Sequence, residues 1–237
     1  MIYENAVPLT RTRHGDWSVE MGTDYAFCRN VNSVPLMAAE FASAASEYVI
    51  VFGGTGDAVL PGAVLGLRPD QNLYLAGETW QAKYIPAFVR RYPFVFAGRG
   101  NGGTLTLCID EAFQGFNQNG RGQRLFGEDG KPTSYLANVL NFLQQYESEF
   151  LRTKALCTKL KELNLLEPMQ AQINLGSVGR IALGGFSVVS RARLKTLSTE
   201  TLAQLVRSDE LELIYTHLVS LLNFAKVRER FAASGSP

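Results

Sequence analysis

The sequence predicts an α+β fold: a mixed or mainly antiparallel sheet in the N-terminal two-thirds, with a helical C-terminal part packed on it. Three observations carry this. Apolar runs of strand length, punctuated by Gly, Pro, Asn and Asp, occupy 48–109. Apolar residues at helical spacing dominate 134–166 and 209–230. A strand-like run returns between them at 178–189, and a strand there needs partners from the earlier sheet. These make one domain over 1–237, sheet-rich over 1–133 and mainly helical over 134–231, with a returning strand pair near 178–189.

In chain order, Met37, Phe41, Ala44, Ala45 and Tyr48 fall at helical spacing, so 34–48 is the first predicted helix, with Pro35 near its start. Tyr48-Val49-Ile50-Val51-Phe52 reads as a buried strand that runs into the loop Gly53-Gly54-Thr55-Gly56-Asp57. Strands at 63–67 and 72–75 are joined by Arg68-Pro69-Asp70-Gln71, a turn-forming tetrapeptide. Strands at 94–97 and 104–109 form a hairpin with a glycine-rich tip at 98–103. Residues 113–132 form a Gly-, Asn- and Gln-rich surface loop that carries Leu125 and Phe126 inward. Tyr135, Val139, Phe142, Leu143 and Tyr146 mark one face of a helix capped by Thr133 or Ser134; Leu156, Leu160 and Leu163 continue the pattern. Ser198 begins a short capped helix. The last helix, 209–230, points Leu211, Ile214, Tyr215, Leu218, Leu221, Leu222 and Ala225 inward.

Composition narrows the function classes. Hydrophobic residues make up 46% and charged residues 19%, as in an ordinary folded interior. A net charge of +1, with Lys and Arg spread among acids, provides no basic face for nucleic acid. Cys28, Cys108 and Cys157 are odd in number, widely spaced and set among apolar neighbours, so buried free thiols are predicted rather than disulfides or a metal site. The N-terminal residues lack a basic stretch followed by an apolar one, and no apolar run approaches the ~20 residues of a membrane span. A cytoplasmic setting is therefore expected, without a transmembrane segment, metal or cofactor.

Candidate sites begin with Trp80-Gln81-Ala82-Lys83-Tyr84-Ile85-Pro86-Ala87-Phe88-Val89-Arg90-Arg91-Tyr92-Pro93-Phe94, which combines rigid aromatics with an arginine pair. Trp, Tyr and Arg concentrate binding energy at recognition surfaces, so Trp80, Tyr84, Arg90 and Arg91 are candidate ligand contacts, with the arginines suited to a carboxylate. The competing reading is a structural corner that packs Trp80, Tyr84 and Phe94 inside. Glu40 lies at the edge of the first helix's apolar face, where a carboxylate needs a cation or donors. Arg90 or Arg91 suits it as a structural partner, and acid catalysis is the alternative. Asp110-Glu111 ends a strand; Asp110 is an acid–base candidate or the cap of the turn that follows. His217 is a general-base candidate or an interior histidine bonded to backbone or Ser220. His14 pairs with Asp16 or is solvated. Gly53-Gly54-Thr55-Gly56 follows a strand as a phosphate loop does, but lacks the Gly-Lys-Ser/Thr ending and a helix after it.

Several stretches in order resemble the bacterial SapC family. They are Asn32-Ser33-Val34-Pro35-Leu36 with Glu40-Phe41, Tyr48 to Phe52, Leu65-Gly66-Leu67, Asn72-Leu73-Tyr74, Trp80, Tyr84-Ile85-Pro86-Ala87 and Arg90-Arg91-Tyr92-Pro93-Phe94. They continue through Cys108-Ile109-Asp110-Glu111, Leu125-Phe126, Leu165-Leu166, Gly185-Phe186 and Ile214-Tyr215-Thr216-His217-Leu218-Val219-Ser220-Leu221. The resemblance spans nearly the whole chain, with 80–94 its most specific block. One departure is Thr79, where the family pattern leads to a glycine just before the tryptophan. The family is named from surface-layer protein export, and its members are associated with genes for TonB-dependent receptors and flavin-dependent tryptophan-halogenase-like enzymes. The resemblance therefore implies an accessory to surface-layer export or TonB-dependent uptake.

Three functions follow as expectations. The leading one is a non-catalytic binding or accessory protein engaging a peptide, protein or small ligand. The second is an enzyme using Glu40, Asp110 or His217 as acid–base groups; it calls for a pocket where Glu40, Arg90 and His217 converge. The third is a structural subunit of an export or uptake assembly, which calls for an apolar patch on the outer face of 209–230.

Overall fold

The structure, a computed structural model, describes residues 2–98, 105–174 and 179–234. In chain order its elements begin with β1 (Ala6–Pro8), α1 (Arg11–His14), β2 (Ser18–Val19), β3 (Ser33–Pro35), α2 (Phe41–Ala44), β4 (Val49–Gly53) and β5 (Leu60–Val64). Next come β6 (Leu75–Ala76), β7 (Thr79–Trp80), α3 (Ala87–Arg90), β8 (Phe94–Ala97), β9 (Thr106–Asp110), β10 (Phe116–Asn117) and β11 (Gln123–Arg124). The rest is α4 (Ser134–Glu162), β12 (Leu166–Asn174), β13 (Arg180–Val189), α5 (Arg191–Leu194), α6 (Thr199–Arg207), α7 (Glu210–Ser220) and α8 (Phe224–Ala233). The class is α+β, and every strand pairing described is antiparallel.

The chain forms two compact units: Met1–Asp24 with Val89–Ser148, and Tyr25–Phe88 with Glu149–Pro237. The first holds two three-stranded sheets, β1-β9-β8 and β10-β2-β11. Its core is Val19, Phe94, Ile109, Leu125, Phe126, Leu136 and Leu143. The predicted hairpin is β8–β9, with Phe94 opposite Ile109 and Ala97 opposite Thr106. Of its glycine-rich tip, 99–103 lies outside the described residues. Leu125 and Phe126 turn inward as expected, because β11 is anchored on β2 just before them. Thr133 Oγ1 accepts the Leu136 N–H at 3.3 Å, the cap predicted for α4.

The second unit is built on a five-stranded sheet in the order β12-β13-β4-β5-β3, with β6–β7 as a separate hairpin. The return strand pairs with the early sheet as the sequence requires, Phe186 opposite Gly53 and Ser187 opposite Phe52. It is one strand rather than two, and its hairpin partner is the preceding β12. Gly184 and Gly185 make no turn. The register shifts opposite them between Met169 and Ala171, and Gly185 takes φ +82, as a glycine in a β-bulge does. Ser198 caps α6 by accepting the Thr201 N–H at 3.1 Å.

Three elements depart from their predictions for identifiable reasons. The helix expected over 34–48 is reduced to one 3₁₀ turn, Ala38–Glu40, and the four-residue α2. Proline drives the residue before it to extended backbone and is tolerated on an edge strand, so Ser33-Val34-Pro35 joins β5 at the sheet edge. The segment expected as a strand over 72–75 bonds back to 63–67 through the Leu73 N–H and the Leu65 carbonyl at 2.8 Å, but its ladder, through Leu75 and Ala76, is with β7. Gly77 supplies the positive φ at the first loop position of that hairpin, so the glycine the turn needs lies three residues before Trp80. The helix expected over 209–230 is α7, a 3₁₀ turn at Leu221–Asn223, and α8. The buried side of α7 includes Ile214, His217 and Leu218, while Tyr215, Leu222 and Ala225, expected inside, are exposed.

α4 runs unbroken from Ser134 and stops at Glu162, short of the predicted end. The stop is a Schellman motif. Asn164 takes φ +52, its N–H donates to the Lys161 carbonyl and the Leu165 N–H reaches back to the Leu160 carbonyl, both at 2.8 Å. Leu160 and Leu165 are both buried, the apolar contact that accompanies this cap. Asn164→Gly is expected to leave stability within ~0.5 kcal/mol of wild type, whereas Asn164→Val costs ~1–2 kcal/mol because a β-branched residue is strained in the left-handed region. Urea denaturation of the two variants checks this; equal losses would exclude the backbone explanation.

Candidate functional site

The candidate residues of the second unit sit in structural clusters, and a cleft opens elsewhere on its sheet. Glu40 ends the 3₁₀ turn that carries its carboxylate inward, where it is buried. Oε2 accepts the Met37 N–H at 2.8 Å; Oε1 accepts the Tyr84 hydroxyl and the Ala87 N–H, each at 2.7 Å. Glu47 repeats the device, accepting the Lys83 N–H at 3.0 Å and the Tyr84 N–H at 2.9 Å. Tyr48 donates its hydroxyl to the Tyr84 carbonyl. Two carboxylates and a phenol therefore pin the backbone of 83–87, a segment whose Ile85-Pro86 step cannot supply its own regular hydrogen bonds. Sequence reading found Glu40 and Tyr84 but missed Glu47; its signal was a glutamate directly before the buried strand.

Trp80 is buried, and its indole N–H donates to the Tyr48 hydroxyl at 2.8 Å. Tyr48 and Tyr74 pack with ring centroids 4.6 Å apart, and Tyr25 meets Trp80 edge-on at 5.8 Å. Arg230 covers Tyr74 at 4.3 Å and donates to the Gln81 carbonyl at 2.8 Å. Desolvation pushes the Tyr74 phenol up to about 12 and the Tyr48 phenol higher still, so both stay neutral hydrogen-bonding groups. The tryptophan of the most specific sequence block thus packs in an aromatic cluster rather than presenting its face.

His217 projects from α7 onto the sheet. Nδ1 donates to the Ile50 carbonyl at 3.0 Å and Nε2 accepts the Val189 N–H at 3.0 Å, an assignment set by the backbone groups opposite each nitrogen. Phe52 packs against the ring with centroids 5.0 Å apart. Ser220, one turn on, accepts the Ile50 N–H at 3.0 Å and donates to the His217 carbonyl at 2.6 Å. Both ring nitrogens are engaged by strands β4 and β13. Desolvation lowers the imidazole to about 4, against a smaller opposing effect of the Ile50 carbonyl.

The remaining candidates lie in the first unit. Asp110 is fully buried; Oδ1 accepts the N–H groups of Asn5 at 2.9 Å and Ala112 at 3.2 Å, and Oδ2 that of Glu4 at 2.8 Å. It caps the turn after β9 and anchors the N-terminal segment beside it. Glu111 pairs with Arg13 and with the His14 Nε2 at 2.9 Å. His14 is therefore buried against Glu111, where pairing with Asp16 or solvation was expected; the segment's antiparallel β1–β9 pairing brings the distant glutamate alongside. Arg90 is exposed, with its guanidinium over Phe142 at 5.3 Å; Arg91 is half-buried, over Tyr146 at 4.7 Å.

Among the described residues no group of three or more His, Cys, Asp or Glu gathers as metal ligands. Cys28, Cys108 and Cys157 are buried free thiols. Burial pushes Cys28 and Cys157 up to about 12, which leaves them protonated and unreactive. No helix among the described residues is long and apolar enough to cross a membrane.

The open site is on the other face of the sheet from His217. Val51 lies opposite Gly62 and Gly53 opposite Leu60; Pro35 also lies opposite Gly62. Strand alternation puts these residues, with Ser33, on one face, and they line a cleft of about 310 Å³. Among the described residues its lining carries no charge. Glycine makes the hollow: a Cβ on Gly53 would meet no atom within 4 Å, so the space above it is empty because the side chain is missing. Gly54 and Ala58 form one rim. That rim is tied down by Lys161, whose Nζ donates to the Gly56 carbonyl at 2.7 Å and to Asp57 Oδ1 at 2.9 Å. The glycine loop leads into a three-residue 3₁₀ turn and then β5, so it has no helix N-terminus to offer a phosphate. Sequence reading noticed these glycines but assigned no cleft, since the lining comes from three strands whose register only the fold reveals.

A family model described as SapC matches residues 9–227. No curated protein and no solved structure matches the chain.

Proposed function

We infer, from the premise that this chain belongs to the SapC family, that it is a non-catalytic binding protein serving bacterial surface-layer export or TonB-dependent uptake. Its ligand, a peptide or small molecule, presents an uncharged apolar group to the cleft on β3, β4 and β5. The observation that supports this reading is the cleft: apolar, uncharged, floored by Gly53 and Gly62, and large enough for a ring or a branched aliphatic group. An acid–base enzyme would need Glu40, Asp110 or His217 to present a lone pair or proton to a substrate. Their described hydrogen bonds run instead to the protein's own groups.

The test uses N-phenyl-1-naphthylamine, an uncharged apolar fluorophore, as the probe. Wild type is expected to bind it saturably. A Cβ at position 53 would meet no atom within 4 Å and the φ there is open to all residues, so Gly53→Leu directs its side chain into the hollow. It is expected to weaken binding roughly tenfold or more, about 1.4 kcal/mol, with an unchanged thermal midpoint. Equal titrations of the two proteins would exclude the cleft as the binding site.

A further inference from the structure

The outer face of α7 and of the 3₁₀ turn after it carries a largely exposed apolar stripe. Tyr215, Val219 and Leu222 are 45%, 55% and 76% exposed and stand at i, i+4 and i+7. Backbone dihedrals stay right-handed through Ser220, Leu221, Asn223 and Phe224, so the stripe runs on past the end of α7. Continuing the same spacing, Glu212 lies seven residues before Val219 and Lys226 seven residues after it, and both are exposed. Glu212 makes no ion pair among the described residues, and Lys226 reaches only the Ser46 carbonyl, at 2.7 Å. Arg191 leans its guanidinium over the Tyr215 ring at 6.0 Å, on one flank of the stripe.

We propose that this face is a homodimer interface, with α7 of one copy crossing α7 of a second copy antiparallel about Val219. The charge pattern selects this occupant. An antiparallel two-fold axis at Val219 sets Glu212 of each copy against Lys226 of the other, and Tyr215 against the region of Leu222. A parallel pair would set Glu212 against Glu212 and Lys226 against Lys226. Isologous contacts are the commonest way soluble chains self-associate, and they require a self-complementary patch of this kind. Opposite charges at the two ends of an apolar i, i+4, i+7 stripe fix orientation, as they do between paired helices. From Glu212 to Lys226 the stripe runs along about 22 Å of mainly helical backbone, so the contact falls short of a standard interface and is expected to give a weak dimer, of roughly 10–100 µM Kd, rather than a tight one.

Sedimentation velocity from 5 to 300 µM, in low salt, tests this without reference to the cleft. Wild type is expected to shift from monomer to dimer across that range. Leu222→Glu, on an exposed position, is expected to remain monomeric with an unchanged circular dichroism spectrum. Glu212→Lys alone is expected to weaken the dimer at least fivefold, and Glu212→Lys with Lys226→Glu to restore it to within about twofold of wild type. A wild type that stays monomeric at 300 µM overturns the proposal. So does a dimer indifferent to Leu222→Glu, or a double reversal no better than the single one.

Discussion

Replacing Glu40 with alanine is expected to lower stability by ~4 kcal/mol. Three donors point at this carboxylate in a buried site: the Met37 and Ala87 N–H groups and the Tyr84 hydroxyl. Truncation strands all three, and each buried donor without an acceptor costs ~1–3 kcal/mol. Against a total stability of ~5–15 kcal/mol for a typical domain, such a loss removes roughly a quarter to four-fifths of it. Glu40→Gln keeps one oxygen, which can retain Oε1's two donors, but turns an amide toward the Met37 N–H; about half the loss is expected. Urea denaturation at pH 7 measures both. An alanine variant as stable as wild type would remove the clamping role and return Glu40 to the candidates for chemistry.

The second large effect is a pH dependence centred on His217. In the unfolded chain the ring titrates near 6.5; in the folded protein desolvation lowers it to about 4. Above pH 6.5 the imidazole is neutral in both states and its contribution is complete. As pH falls from 6.5 towards 4 the unfolded chain binds a proton that the folded chain refuses, so stability is lost across that window, ~3 kcal/mol in all. His217→Leu removes this titration. It also leaves the Ile50 carbonyl and the Val189 N–H without their partners, at a cost of ~3 kcal/mol at pH 7. The variant is thus expected to start less stable and to lose less between pH 6.5 and 4.5. Parallel acid sensitivity in the two proteins would place the titrating group elsewhere.

These clamps explain why so little of the candidate chemistry could be assigned by inspection. Glu40 and His217 were singled out because a polar side chain on an apolar helical face demands partners. That demand is legible in one dimension; the identity of the partners is not. Glu40 is answered by a tyrosine hydroxyl 44 residues away and a backbone N–H 47 residues away, and His217 by strands 28 and 167 residues away. The same limit applies to Trp80, whose enrichment at interfaces and in cores is equal evidence for both until Tyr48 and Tyr74 are placed around it.

Local grammar set much of the rest. The β4 strand, the β8–β9 hairpin, the caps at Thr133 and Ser198 and the inward turn of Leu125-Phe126 follow from apolar runs, turn residues and capping chemistry, whose causes lie within a few residues. The α+β class and the SapC identity were legible for the same reason, since they rest on the order of such short stretches. Pairing decided what remained. Pro35 became an edge strand because β5 was there to receive it, and Gly184-Gly185 became a bulge because β12 pairs along both sides of them with its register shifted between Met169 and Ala171. α7 and the turn after it set Tyr215, Val219 and Leu222 outward because Ile214, His217 and Leu218 are buried on the opposite side. Register and burial depend on residues far apart in the chain, and the free energy that selects among them is that of the packed whole.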